Sequence, residues 1–599
     1  MKEFLKYTLA SIIGFFISFF LIFGIMFLIV FSITMASFQE PEVTIDDGSI
    51  LHVKLNSPIQ ERVSDNPLEN FDFRSGRIKR ELSLKQIIDN IERAKEDDKI
   101  EGIFLDLSVT PSNFSYLQEV RGALEDFKES DKFIYAYADR FLQTPYYIAS
   151  AADSIFMHPN QAEFGLRGFH MESAYFRGSL DKLDIEPVVF RAGNYKTAGE
   201  TFERYSMSEE NREQMSSILN NTYDNFLEDI GDSRGIETDS IRYWADNLEV
   251  ITQDDALERD FIDDLIYRDE LNELLAEAGG KEEGEDPNKV SLLRYHQVEG
   301  KSPRQQRAIG AEDQIALIYG LGPIVDGEGE REQISARGFS SNIREAREDD
   351  NVEAIVLRVN SPGGSALASD VIWREVNLAS EEKPVVVSMG NVAASGGYYI
   401  AAPADKIYAS STSVTGSIGV IAMLPYLENF WQNKLGINFD RVKTGEYADF
   451  GNPNRRLTPT ERDRFNQIIQ RYYDEFIERV AEGRDMDPET VDSLGRGRVY
   501  SGEGAYQAGL IDGVGGFYDA IEDAAELAEI EEYSLKVLPR RKNPIERLLE
   551  DMGRFDQKEM VKESIKEEFE AFEHLKLLHD SQDPMAIMPF SLELKEARF

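Results

Sequence analysis

The stretch NIERAKEDDKIEGIFLDL, residues 90–107, returns as NIREAREDDNVEAIVLRV at residues 342–359, an offset of 252. Three further matches continue the register: YYIASAADSIF from Tyr146 on YYIAAPADKIY from Tyr398, TYDNFLEDIGDSRG from Thr222 on YYDEFIERVAEGRD from Tyr472, and ALERDFIDD from Ala256 on AYQAGLIDG from Ala505. Self-similarity over such a distance means two copies of one structural unit. Within the second copy the pattern alternates. IALIYGLGPI from Ile315 reads as a strand, Ile343–Arg347 lies in an amphipathic helix, and VEAIVLRV ending at Val359 is again a strand. A helix after Ser365, the strand Val385–Gly390 and a helix beginning near Ser395 follow. Val/Ile-rich runs alternating with helices argue for layered α/β halves, not for a bundle or an all-β fold. The long helical patterns at Ser208–Glu228 and Thr458–Ala481 are expected to pack outside or to mediate assembly.

Outward from the repeat, the expected organisation is an N-terminal anchor (1–47), a first half (48–280), a polar linker (281–313), a second half (314–540) and an acidic, helical-patterned tail (541–599) without assigned chemistry. From Tyr7 to about Met35 the chain carries no charge. About 20 apolar residues span a bilayer, whereas the apolar core of a cleaved signal peptide is only about 7–15 long, so this reads as an uncleaved transmembrane helix. Lys2 and Lys6 precede it and Glu40, Glu42, Asp46 and Asp47 follow it, which places the bulk of the chain outside the cytoplasm.

Composition excludes several classes. With 110 acidic and 65 basic residues the formal net charge is −45, a surface that repels phosphate backbones and rules out a general nucleic-acid binder. A hydrophobic content of 42% supports large cores, against global disorder. The absence of cysteine removes thiol catalysis, disulfides and Cys-based metal sites. The six histidines are scattered and no ligand cluster reaches metal-site spacing, so neither metal nor cofactor is expected.

Two strand-to-helix junctions of the second half stand out, because loops there are positioned by a rigid sheet. In Arg358-Val-Asn-Ser-Pro-Gly-Gly-Ser365, the adjacent Gly363 and Gly364 let backbone N–H groups turn toward a ligand. In Asn391-Val-Ala-Ala-Ser-Gly-Gly-Tyr-Tyr399, Ser395 precedes Gly396 at a helix start, where developing negative charge is favoured. Taken alone, Ser395 reads either as a helix cap or as a nucleophile. No histidine lies between His296 and His574, which makes a Ser–His–Asp triad improbable and a Ser–Lys arrangement the main alternative. Spacing does not identify the lysine. The repeat narrows the choice: Lys196 aligns with Ala448 and Ser395 aligns with Gln143, so each half carries one candidate polar group and lacks the other.

GNYKTAGE around Lys196, NSPGG at Asn360–Gly364, AASGGYYIAAPAD around Ser395 and TGSIGV at Thr415–Val420 together resemble the long-form signal peptide peptidase A (protease IV) family of bacterial membrane-bound serine proteases. The resemblance covers Gly48 to about Val537. It implies a ClpP/crotonase-like fold for each half, a location at the bacterial inner membrane with the catalytic part outside the cytoplasm, and a homotetramer forming a bowl. It implies a Ser–Lys endopeptidase that degrades cleaved signal peptides, with Ser395 as nucleophile, Lys196 as general base and Ser417 as the hydroxyl that orients the lysine. Gly363, Gly364 and Gly396 are the expected oxyanion donors, and extended apolar peptides the expected substrates. Two other readings compete: an inactive membrane scaffold, and a crotonase-type enzyme acting on acyl-CoA thioesters.

Overall fold

A computed structural model describes residues 45–63 and 81–298, then 311–539 apart from 330 and 331. It adds the short pieces 6–7, 14–25, 71–72, 77–78 and 585–587 and the single residues 302, 304, 308 and 310. The expected anchor lies mostly outside the described residues; its described part, 14–25, is helical, and no described helix is long and apolar enough to cross a membrane.

Each half builds a parallel sheet. In the first, the order is Asp264–Leu265, Ser154–Met157, Phe133–Ala138, Ile100–Asp106, Ser49–Val53 and Lys289–Ser291. The larger second sheet centres on Val352–Ser361, flanked by Gln314–Leu321 and by Val385–Ala394. Its far strand Ser534–Leu538 pairs with Gln314–Leu321 just as Lys289–Ser291 pairs with Ser49–Val53. Part of the segment expected as linker is therefore structural in the first half: Lys289–Ser291 completes the sheet, and the helix Leu292–Gln297 packs Leu292 and Tyr295 into the core.

The repeat is visible residue by residue. Helix Leu84–Glu96 buries Leu84, Ile87, Ile88, Ile91 and Ala94, and helix Ala336–Glu348 buries Ala336, Phe339, Ser340, Ile343 and Ala346 at the same spacing. That i, i+3, i+4, i+7 stripe is the face an α-helix turns to a sheet. Ser83 and Ser335 cap these helices from matching positions. The long helices Glu209–Arg234 and Pro459–Gly483, expected on the outside, bury one face each against the cores: Phe226, Leu227 and Ile230 in the first, Ile469, Phe476 and Val480 in the second.

A third, smaller sheet joins the halves. Its order is Ile334–Ser335, Ile324–Val325, Gly363–Ser365, Met585–Ile587, Val420–Tyr426 and Glu186–Ala192. The last strand comes from the first half and pairs antiparallel with Val420–Tyr426 over its full length, Ala192 opposite Val420 and Glu186 opposite Tyr426. Phe190 and Ala192 are buried in the second half's core, where Phe190 stacks on Phe465. The one described piece of the tail, Met585–Ile587, is a strand and not the helix its pattern predicts.

Candidate active site

The inter-sheet strand Glu186–Ala192 ends four residues before Lys196 and so carries the first half's lysine into the second half. Beyond it, Tyr195 N–H donates to the Arg496 carbonyl at 2.8 Å, and the Arg498 guanidinium lies over the Tyr195 ring. The approach is so close that a Cβ on Gly497 would stand 2.4 Å from the Lys196 backbone nitrogen; only glycine fits there. Gln214, fully buried on helix Glu209–Arg234, locks the turn. Its amide donates to Tyr195 O and Thr197 Oγ1 on either side of Lys196, and its carbonyl accepts from Val499 N–H of the other half.

Lys196 Nζ lies 2.7 Å from Ser395 Oγ, 2.9 Å from Ser417 Oγ and 3.0 Å from the Ser417 carbonyl oxygen. All three residues are fully buried. Burial pushes the Lys196 amine well below the ordinary lysine value, because the ammonium form loses its hydration. A neutral amine has two N–H donors and one lone pair. The two Ser417 oxygens take the donors, which leaves the lone pair facing the Ser395 hydroxyl.

Both serines are held in unusual backbone conformations, Ser395 at φ 56° and Ser417 at φ 53°. A non-glycine residue at positive φ costs on the order of 1–3 kcal/mol and persists only where its surroundings enforce it. The enforcing contacts are Ser395 N–H to Gly416 O and Ser417 N–H to Arg498 O, each 2.7 Å. Ser395 occupies the cap position of helix Gly396–Ala401, yet its hydroxyl makes no capping bond. The helix-cap reading therefore fails, and the hydroxyl is spent on the lysine.

The glycine junctions converge beside it. A Cβ on Gly396 would stand 3.2 Å from Gly364 N, so the two amides border one space. A Cβ on Gly364 would clash with the Ile324 carbonyl at 1.9 Å, which explains glycine at this position. The Gly363 amide, by contrast, donates to Ser361 Oγ at 3.2 Å.

Behind the glycine turn lies a cluster that sequence reasoning missed. Arg358 is fully buried and bridges Glu61 (2.8 Å) and Glu119 (2.7 Å), both from the first half. The buried Glu119 carboxyl is raised despite the arginine, and Arg358 is driven up by the two carboxylates against the desolvation that opposes its charge. Asn360, two residues on, donates to Tyr116 OH and accepts from Val392 N–H. Arg358 stood in the motif NSPGG's own strand, but its partners lie more than 200 residues away and carry no periodic mark. The signal available was asymmetry: the repeat places Asp106 where the second half has Arg358, and Arg464 where the first has Gln214. Among the described residues no cluster of potential ligands reaches metal-site geometry.

Comparison with known proteins bears on this arrangement. The family model described as peptidase family S49 matches twice, at residues 126–281 and 377–531. The chain is similar to Protease 4 of Haemophilus influenzae, 35% identical over 459 residues, 75% of this chain and 74% of that protein. It is 36% identical to Protease 4 of Salmonella typhi over 464 residues, 76% and 74% of the two chains. It is 34% identical to the chloroplastic serine protease SPPA of Arabidopsis thaliana over 498 residues, 82% and 71%.

Proposed function

Because the chain belongs to peptidase family S49 and is a serine protease, we propose that Ser395 and Lys196 are its catalytic dyad, in a membrane-anchored endopeptidase for unfolded apolar peptides, cleaved signal peptides among them. Membership in this family displaces the acyl-CoA and inactive-scaffold readings. One observation carries the dyad: a fully buried lysine, its amine depressed by desolvation, 2.7 Å from a strained serine hydroxyl.

The chemistry follows from that geometry. Lys196 Nζ takes the Ser395 proton as Oγ bonds to the peptide carbonyl carbon. The resulting oxyanion is held by the Gly364 and Gly396 amides; Gly363, bonded to Ser361, shapes the turn instead. One such donor is worth on the order of 3 kcal/mol of barrier. As the C–N bond breaks, Lys196 returns the proton to the leaving amine. Water then attacks the acyl ester, gives its proton to Lys196, and the ester oxygen recovers it as Ser395. Ser417 holds the amine's other two hydrogens throughout, so the lone pair keeps its aim.

Anchoring rests on the uncharged run from Tyr7 to about Met35, with the soluble part outside the cytoplasm. A homotetramer follows from the repeat. Within the chain, Glu186–Ala192 covers Val420–Tyr426. The duplicate of the first segment is 438–444, exposed at Phe439 and Val442; the duplicate of the second is 169–175, extended and outside any strand. Head-to-tail pairing of these two segments between copies repeats the internal joint and closes a ring. Val442→Asp is expected to reduce the assembly to single chains in light scattering.

The test of the dyad is turnover of an unfolded apolar peptide by purified protein, with a peptide aldehyde as trap. Ser395→Ala is expected to be inactive and untrapped; retained turnover would end the proposal.

A further inference from the structure

The slot between strands Gly363–Ser365 and Val420–Tyr426 is occupied by chain from far downstream. Met585–Ile587 pairs antiparallel with Gly363–Ser365, Ala586 opposite Gly364, and meets Ile421 on its other side through Met585. It lies 47 residues beyond Leu538, the end of the second sheet's last strand. It also comes within 8 Å, Cα to Cα, of helix Gly396–Ala401, whose cap residue is Ser395. With this strand in place Ser395 is 0% exposed. The main chain of the tail thus runs along the glycine whose amide borders the nucleophile, on the one open course an incoming peptide could take to reach it. The segment is also unlike its surroundings. Pro584–Leu592, PMAIMPFSL, is nine residues without a charge between Asp583 and Glu593, in a tail otherwise dense with Asp, Glu, Lys and Arg.

We propose that this slot binds an extended peptide main chain by strand addition to both of its edges, and that the chain's own segment around Met585–Ile587 is a resident, displaceable ligand of it. The inference rests on the serine-protease reading of the site. Strand addition draws its affinity from main-chain bonds available to any extended peptide. Each such bond is worth only about 1 kcal/mol net, so a strand this short binds weakly by itself. Tethering compensates, because a flexible link of this kind holds its end at an effective concentration of about a millimolar. A ligand of roughly millimolar intrinsic affinity then fills the slot for a large share of the time, and yields to a longer apolar peptide. Folded proteins, which offer no free main chain, cannot displace it.

The test uses the full chain in a Ser395→Ala background, with and without Ala586→Pro and Ile587→Pro, which remove two main-chain donors from the resident strand. The probe is a fluorescent nine-residue peptide of sequence PMAIMPFSL, with binding read by anisotropy. The proline variant is expected to bind it about three- to tenfold more tightly, and the unlabelled peptide to compete. In the active enzyme the same two substitutions are expected to lower KM for an unfolded apolar peptide by that factor and to leave kcat unchanged. Equal affinity in the two proteins, or no competition by millimolar unlabelled peptide, overturns the proposal. A failed dyad would show separately, as turnover that survives Ser395→Ala, because the binding measurement needs no catalysis.

Discussion

The two halves share a fold down to single bonds. Tyr146 OH donates to Phe261 O and Tyr398 OH to Leu510 O, each at 2.7 Å, and Asp153 and Asp405 accept the same strand amide in their respective sheets. At the reactive positions they part. Where the second half has Ser395, the first has Gln143, whose carbonyl accepts from the Arg167 and Gly168 amides and whose amino group donates to Gly168 O. That side chain is satisfied locally and reaches across to nothing. Where the second half has Pro-Gly-Gly at 362–364, the first has Thr-Pro-Ser at 110–112. Conversely Lys196 sits in the buried joint while its duplicate Ala448 lies exposed in a loop. A duplicated scaffold keeps its core because every copy must fold. It needs only one serine and one lysine per joint, so each half was free to lose what the other supplies.

The sharpest way to break this comparison is to exchange the residues that differ. Ser395→Ala is expected to lower kcat by about 10⁴-fold or more, while Gln143→Ala leaves it unchanged. Peptide turnover by both variants checks the asymmetry, and a large loss from Gln143→Ala would mean that the first half also reacts.

Lys196→Arg comes next, with an expected loss of about 10³-fold, since a guanidinium keeps its proton and cannot act as base. Adding Ala448→Lys to it is expected to restore nothing, because that loop faces solvent. The pH profile sharpens the assignment. Only the deprotonated amine accepts the serine proton, so kcat/KM is expected to rise with pH and level off above the lowered Lys196 pKa, well short of the ordinary lysine range. A profile that is flat or falls through this range would assign the base elsewhere.

A smaller effect probes the joint itself. Arg358→Met leaves Glu61 and Glu119 buried without their cation, a loss expected at about 3–5 kcal/mol. Adding Glu61→Gln and Glu119→Gln is expected to recover most of it, because the uncompensated charges go. At the duplicate position Asp106 pairs with Lys54 and Arg268, both partly exposed, and Asp106→Asn is expected to cost only about 1 kcal/mol. Denaturant midpoints of the four proteins decide.

The smallest effect concerns stability against pH. The folded Lys196 pKa lies below the unfolded value of about 10.4, so the unfolded chain binds the proton more tightly. Below the folded pKa the burial penalty is fully present; it declines as pH rises and is gone above about 10.4. Lys196→Met is therefore expected to raise the thermal midpoint, by the equivalent of about 1–2 kcal/mol near neutrality, with the gain shrinking in alkali. An unchanged midpoint would show that the bonds to Ser417 offset the desolvation.

Much of this was legible before any coordinates. Periodicity marked the helices at Leu84–Glu96 and Ala336–Glu348 because burial of one face imposes it locally. Ser395 and Lys196 surfaced because the copies could be compared position by position, and a difference between copies is where selection for folding alone gives no reason. Gln214, Glu61, Glu119 and the strand Met585–Ile587 surfaced only in three dimensions. Each acts on a partner more than 150 residues away, and a hydrogen bond or a strand pairing of that kind leaves no spacing in the chain.

The amino-acid sequence by itself determined the duplicated α/β architecture, the acidic surface, and which serine, lysine and glycines were worth watching, since these depend on local pattern and residue chemistry. Tertiary structure alone decided that Lys196 and Ser395 meet within one chain, that the lysine is dry, that Gly364 and Gly396 share a space, and what lies in the slot beside them. The physical reason is desolvation. An amine's pKa, a serine's reach and an amide's freedom are set by what packs around them, and packing between halves is a property of the folded chain, not of any segment in it.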